Sequence, residues 1–218
     1  MSVWKSKAIK RMVKTEWPWT NMISLVKKFK KKNKIKVLEI GCGSGCNIPF
    51  FMKEKSHFSY YAIDNQETWI KVLKKKYPKI RNNLFYGNFL NHKFNQKFDL
   101  ILDRCSMTHN SKKNIIMSLK NLKECLNKKG IYVGVDWWST KHSNSKRKNY
   151  YETKFFKKGD FAGVKGVFFS SKSQMLDFFK TWKILYLAEN ITKQEYRKNG
   201  TRQSPKTRSL SSSQQKQA

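Results

Sequence analysis

Apolar residues along this chain fall into two alternating patterns. Short runs of strand length lie at Val37 to Ile40, Phe58 to Ile63, Leu84 to Phe89, Phe98 to Asp103, Ile131 to Val135 and Trp182 to Ala188. Between them apolar residues recur at helical spacing. Met22, Ile23, Val26 and Phe29 do so after Thr20, and Trp69, Ile70, Val72 and Leu73 between Gln66 and Tyr77. Ile115, Ile116, Leu119, Leu122 and Leu126 follow Ser111, and Met175, Leu176, Phe178 and Phe179 lie between Ser173 and Lys180. Cys46 to Met52 reads as one more helix. Thr20 or Asn21 suits the first N-cap, and Ser111 caps the long helix. Pro78 ends one helix, and Lys128-Lys129-Gly130 reads as the stop of another. Strand and helix alternating in this way predict an α/β fold with a doubly wound, mostly parallel sheet.

The sharpest local signal is Lys36-Val37-Leu38-Glu39-Ile40-Gly41-Cys42-Gly43-Ser44-Gly45. A strand runs into three glycines at alternate positions, and a helix follows. Glycine suits such a turn because the backbone needs positive φ and a ligand must come close. A Walker loop is excluded, because no Gly-Lys-Ser/Thr follows. A dinucleotide fingerprint would prefer glycine where Cys46 stands. Glu39, an acid at the strand end facing the turn, suits a ligand that carries positive charge.

With these residues in place, Glu39-Ile40-Gly41-Cys42-Gly43-Ser44-Gly45 resembles the first motif of class I S-adenosylmethionine-dependent methyltransferases. The resemblance covers roughly residues 20 to 188. It implies a Rossmann-like domain over 20–190; the tryptophans before it set off an aromatic N-terminal segment over 1–19, and the polar, basic composition after it predicts a disordered tail over 191–218. The resemblance also implies S-adenosylmethionine as methyl donor, S-adenosylhomocysteine as product, and no metal. The backbone of Gly41, Cys42, Gly43 and Gly45, together with Glu39, would hold the cofactor. Asp64, nineteen positions beyond Gly45, has the spacing and the acceptor chemistry for a ribose diol. Asn88 stands where the family commonly has an acid meeting the adenine amino group, and its side-chain oxygen still accepts. Phe89 would pack on the adenine face. Asp103 ends the fourth strand, at the carboxyl edge where open α/β sheets bind ligands, and is a candidate for both cofactor contact and catalysis.

The acceptor is less well marked. Asp103-Arg104-Cys105-Ser106 stands where methylases of base amines carry Asn/Asp-Pro-Pro-Tyr/Phe, and no Pro-Cys nucleophile is present. His109 occupies the place of a histidine found in many small-molecule members, and would serve as general base toward a hydroxyl. Arg104 either pairs a substrate carboxylate or phosphate, or forms an ion pair with Asp103 or Asp136. Trp137 either lines the acceptor pocket or packs against the next loop. The stretch 139–163 is polar, basic and aromatic without a clear period, and leaves the edge that carries the site. These residues imply methyl transfer to a small-molecule or sugar-like acceptor, at a hydroxyl. An RNA methyltransferase and a cofactor-binding scaffold without activity remain open.

Composition modifies this picture in three places. A net charge of +33 over 218 residues supports non-specific affinity for polyanions, nucleic acid included. The 47 basic residues, however, are nearly all dispersed lysines, whereas arginine is the usual reader of phosphate and base edges. The mean hydropathy of −0.73 and the lack of a long apolar run predict no membrane span, and with Cys42, Cys46, Cys105 and Cys125 forming no Cys-x-x-Cys, a cytoplasmic protein with reduced thiols. Trp4, Trp17 and Trp19 crowd the segment before the first strand, where they pack on the core or form a lid. The usual seventh, antiparallel strand is not legible. Val164 to Phe169 is a candidate for it, because the Ser/Gln-rich end has almost no apolar content.

Overall fold

The fold is given by a computed structural model. It describes residues 18–28, 34–142, 145, 151–152, 155–157, 161, 163–194, 197–198, 201–202 and 207–217. Trp4 and Trp17, most of the expected 1–19 segment and much of 143–160 lie outside the described residues.

In chain order the elements are α1 (Thr20–Lys27), β1 (Ile35–Ile40), α2 (Ile48–Lys53), β2 (Phe58–Asp64), α3 (Glu67–Lys76), a 3₁₀ turn (Pro78–Asn83) and β3 (Leu84–Tyr86). Then come β4 (Phe98–Arg104), a 3₁₀ turn (Met107–His109), α4 (Lys112–Glu124), β5 (Leu126–Val135), β6 (Tyr151–Glu152) and β7 (Val167–Phe168). The chain continues through α5 (Lys172–Phe178), β8 (Lys183–Gln194), β9 (Arg197–Lys198), β10 (Thr201–Arg202) and β11 (Thr207–Gln217). The main sheet has seven strands in the order β3-β2-β1-β4-β5-β11-β8. The five from β3 to β5 are mutually parallel, and β11 runs antiparallel to both its neighbours. Strand order reverses between β1 and β4, which opens the crevice where such sheets bind ligands.

Alternation along the strands fills both faces. Val37, Leu100, Leu102 and Val133 pack on one side with Met22, Val26, Phe51 and Leu73. Leu38, Ile40, Ile101 and Tyr132 pack on the other with Ile115, Leu119, Leu122, Phe178 and Phe179. A third, small core of Phe161, Val164, Val167 and Phe169, with Trp138 and Phe156, belongs to the segment after β5.

Several expectations are corrected. Residues 207–217 do not form a disordered tail, and the sheet does not stop at 190, because β8 continues to Gln194 and β11 supplies the seventh strand. Hydropathy misses β11 because its place is secured by backbone pairing to β5 and β8 on either side, a term that composition does not report. Val167–Phe168 pairs instead with Tyr151–Glu152, outside the main sheet. Lys128-Lys129-Gly130 lies inside β5 rather than ending a helix. The first helix is preceded by Trp19 with no side-chain cap, and Asn21 binds Met22 N at 2.8 Å instead. Ser111 does cap α4, accepting from Asn114 N at 3.4 Å.

Candidate functional site

The glycine turn sits at the carboxyl end of β1 with all three glycines at positive φ. Two of them are closely packed. A Cβ on Gly41 would fall 2.0 Å from Ser106 Oγ, and one on Gly45 would fall 2.6 Å from the Leu73 side chain. Gly43 differs, since a Cβ there would meet nothing within 4 Å. The turn is therefore clamped on its protein side and open over Gly43, as a cradle for a ligand requires. Asp64 closes the same cradle from the end of β2. Its Oδ2 accepts from Gly43 N at 2.8 Å and its Oδ1 from Gln66 N at 2.8 Å. Each oxygen keeps a second acceptor direction for a hydroxyl pair. Burial pushes the Asp64 pKa upward, and its two backbone donors oppose that shift. Cys42 is buried with its amide on Ile63 O at 3.3 Å, so it shapes the turn from below.

Glu39 lies beneath the turn, 3% exposed. Its oxygens accept from Tyr60 OH at 2.6 Å and Asn47 Nδ2 at 3.0 Å. Burial raises its pKa to about 7. Asn47 in turn accepts Trp19 N at 3.0 Å, so the acid joins the turn to the start of α1. Asn88 is exposed beyond β3 with Oδ1 on Leu90 N at 3.1 Å, and Phe89 is half-buried against the second core. Both stand on the loop that follows β3, with β2 and β1 between it and β4.

Asp103 ends the fourth strand as expected, but it and Trp137 face the core rather than a ligand. Asp103 has no exposed surface. Its Oδ1 accepts Ser106 N at 2.9 Å and Met107 N at 3.2 Å, and its Oδ2 accepts Tyr132 OH at 2.8 Å and Trp137 Nε1 at 2.6 Å. Four donors saturate the carboxylate, so it fixes the chain after β4 and presents nothing to a cofactor or substrate. Burial raises its pKa to about 6. Trp137 is 1% exposed and packs on Phe178 and Phe179, a core position rather than a pocket wall.

A second cluster of candidate residues lies where β4 and β5 end together. Cys105 and Asp136, the residues directly after these paired strands, both adopt left-handed backbone, with φ of 62° and 57°. Two adjacent strained non-glycine residues mark a place where side chains are aimed at the expense of backbone comfort. Cys105 Sγ accepts from Trp138 Nε1 at 2.8 Å and faces His109 Nε2 at 3.9 Å. His109 Nδ1 lies 3.2 Å from Gly166 O. A carbonyl only accepts, so Nδ1 carries the proton and the neutral ring holds its lone pair at Nε2. Burial lowers the His109 pKa to about 4, which keeps the ring neutral at ordinary pH. Burial also pushes the Cys105 thiol up to about 12, so it is not a thiolate nucleophile.

Arg104, the last residue of β4, forms an ion pair with Asp136, its Nε 2.8 Å from Oδ2. Its guanidinium carbon lies 3.2 Å from the Trp19 ring centroid. Sequence reasoning had named Arg104 and His109 but missed Tyr60, Asn47, Trp138 and Gly166. Ser106 stood inside the quoted exit of β4, and its Oγ donates to Ile40 O at 2.9 Å across the crevice. Gly166 carried no signal, being 57 positions from the histidine it binds. Among the described residues no cluster of three or more His, Cys, Asp or Glu could hold a metal, and no helix is long and apolar enough to cross a membrane.

Residues 37–130 match the family described as methyltransferase domain. No curated protein matches the sequence. Among solved structures the chain is similar to TehB from Haemophilus influenzae, at 17% identity and a TM-score of 0.63, covering 92% of this chain and 62% of that one. The chain thus spans less than two thirds of that protein's length. It is also similar to an S-adenosylmethionine-dependent methyltransferase from Clostridium acetobutylicum, at 14% identity and a TM-score of 0.65, over 91% of this chain and 90% of that one. The N-methyltransferase NodS from Bradyrhizobium japonicum, solved with S-adenosyl-L-homocysteine, gives 13% identity and a TM-score of 0.59, over 97% and 96% of the two chains. At these identities the likeness is one of fold.

Proposed function

We propose that the chain is a class I S-adenosylmethionine-dependent methyltransferase, a reading supported by its domain match over residues 37–130 and by its fold, and that it methylates a hydroxyl of a small-molecule or sugar-like acceptor. The observation that carries this reading is the pose of His109. Its Nδ1 proton is held by the Gly166 carbonyl, and its lone pair lies at Nε2, beside Cys105 at the end of β4. A neutral imidazole so oriented can take the proton that a hydroxyl gives up when its oxygen is alkylated. An amine acceptor already neutral at nitrogen has less need of it.

When bound, S-adenosylmethionine supplies an electrophilic methyl group, so the protein's share is positioning and proton removal. The open cradle over Gly43 and the partly engaged Asp64 carboxylate fit its adenosine end. Glu39 supports the turn from beneath, and Asn88 and Phe89 flank the adenine side. His109 accepts the acceptor's proton at Nε2. Its pKa of about 4 means that it needs no prior deprotonation near neutral pH.

Two measurements test the reading. Calorimetric titration with S-adenosylmethionine and S-adenosylhomocysteine should give micromolar-range affinity, on the order of −8 kcal/mol, and Asp64→Ala should weaken it. Transfer of labelled methyl to a panel of phenols, sugars, amines and RNA should favour hydroxyls. His109→Ala should lower kcat by about 10²-fold or more while leaving the affinity for S-adenosylhomocysteine unchanged. Methylation confined to amines or RNA, or full activity in His109→Ala, would discard the hydroxyl assignment.

A further inference from the structure

Arg104 is the described cation most firmly held at the crevice. It ends β4 with its side chain 23% exposed. Trp19 covers one face of the guanidinium, with 3.2 Å from Cζ to the ring centroid. Trp19 is itself tied by its amide to Asn47 Oδ1 at 3.0 Å. On the other side Asp136 approaches Nε to 2.8 Å, and Asn21 Nδ2 braces Asp136 Oδ1 at 3.3 Å. The left-handed backbone at Cys105 and Asp136 brackets the pair.

This clasp fixes the guanidinium without satisfying it. The buried Nε has no hydrogen-bond partner, so its contact with Asp136 is Coulombic and out of line. Among the described residues no other side-chain hydrogen bond is made by Arg104. A guanidinium is a rigid fork of five donors; here the Nε is buried without a hydrogen-bond partner, while the terminal nitrogens are not among the buried unpaired atoms and stay open to an incoming acceptor. A surface ion pair needs no such scaffold.

We propose that Arg104, clasped between Trp19 and Asp136, is a binding site for a carboxylate at the carboxyl ends of β1 and β4. The planar fork matches a carboxylate in two parallel hydrogen bonds. Asp136 already offsets much of the single positive charge, so a monoanion completes the site better than a phosphate dianion. The carboxylate belongs either to the amino-acid end of the cofactor or to an acidic acceptor. The proposal deepens the methyltransferase reading and rests on it for these two sources.

The test uses the full chain as wild type, Arg104→Met and Arg104→Lys, at constant ionic strength. Each is titrated with S-adenosylhomocysteine, with its decarboxylated analogue, and with benzoate in the presence and absence of S-adenosylhomocysteine. If the cofactor supplies the carboxylate, Arg104→Met binds S-adenosylhomocysteine about tenfold or more weakly, and both proteins bind the decarboxylated analogue alike. If the acceptor supplies it, S-adenosylhomocysteine binds both equally, and benzoate binding falls about tenfold or more in the variant. In either case Arg104→Lys recovers only part of the loss, because a point charge lacks the fork. A folded Arg104→Met that binds all three probes as wild type does overturns the proposal, and so does full recovery in Arg104→Lys. Should Arg104→Met fail to fold, Trp19→Leu keeps the charge but removes the clasp, and the same comparisons decide. Wild type that binds no S-adenosylhomocysteine counts against the methyltransferase reading, and the benzoate titrations without cofactor then judge Arg104 separately: equal benzoate affinity in wild type and variant overturns the site.

Discussion

Two buried carboxylates end neighbouring strands on opposite faces of the sheet. Glu39 follows the alternation of Val37 and points into the face holding Tyr60, whereas Asp103 follows Ile101 into the face holding Tyr132. Each is bound by a tyrosine hydroxyl, at 2.6 Å for Tyr60 and 2.8 Å for Tyr132. They differ in what else reaches them. Asn47 alone completes Glu39, while Trp137, Ser106 and Met107 all donate to Asp103. Burial raises both by a similar amount, from 4.5 to about 7 for Glu39 and from 3.8 to about 6 for Asp103, and the hydrogen-bond donors oppose it in each. Asp103 is thus a four-donor post at the end of β4. Glu39 is a support whose charge changes near neutrality, under the turn that carries the cofactor motif.

The largest expected effect comes from removing the post. Asp103→Ala leaves two backbone amides, an indole N–H and a hydroxyl without their acceptor, all within buried surroundings. Urea unfolding should show a loss of about 4 kcal/mol, with Asp103→Asn intermediate. A loss below about 1 kcal/mol would mean that the four donors find water or other partners, and the contrast with Glu39 would fail.

A smaller effect separates the two acids by pH. The folded-state pKa of Glu39 is raised from 4.5 to about 7, so the folded protein binds the proton more tightly than the unfolded chain. Its contribution to stability is fully present below pH 4.5 and is lost as pH rises through 7, amounting to about 3 kcal/mol. Asp103 acts in the same sense between 3.8 and about 6. His109 opposes both, because its pKa falls from 6.5 to about 4 and stability is lost as pH drops through that window. Above pH 6.5 Glu39 remains the principal one of the three, so Glu39→Gln should flatten the stability profile there. An unchanged slope between pH 6.5 and 7.5 would show that Glu39 is not the titrating group.

The same contrast shows how far the sequence could be read. The glycine turn, Glu39 and Asp64 were legible because a strand, a turn and the next strand carry their own local signals, and their bonds, such as Gly43 to Asp64, close a single βαβ unit. Asp103 was legible as an acid at a strand end but not as a saturated one, since Tyr132 and Trp137 arrive from 29 and 34 positions away. His109 was named, yet the group that sets its tautomer lies in the segment after β5, where no periodicity guides the eye. The seventh strand failed for another reason. Its residues are polar, and its position rests on backbone pairing to two strands already in place.

The smallest effect gives the finest test of donor count. Tyr60→Phe removes one of two side-chain donors to Glu39, and Tyr132→Phe removes one of four donors to Asp103. Each should cost about 1 kcal/mol at neutral pH from the lost hydrogen bond alone. What distinguishes them is what remains. After Tyr60→Phe the Glu39 carboxylate keeps only Asn47, so its pKa rises further and the acid stays protonated in the folded state. The stability gap to wild type should therefore widen as pH rises from 6 to 8. After Tyr132→Phe the Asp103 carboxylate keeps three donors, so its pKa climbs less far above about 6 and the gap should widen less over the same range. Denaturation midpoints of the two variants at three pH values would decide the matter. Parallel curves would mean that burial alone sets both acids, and that the number of donors around a buried carboxylate does not decide how far its pKa rises.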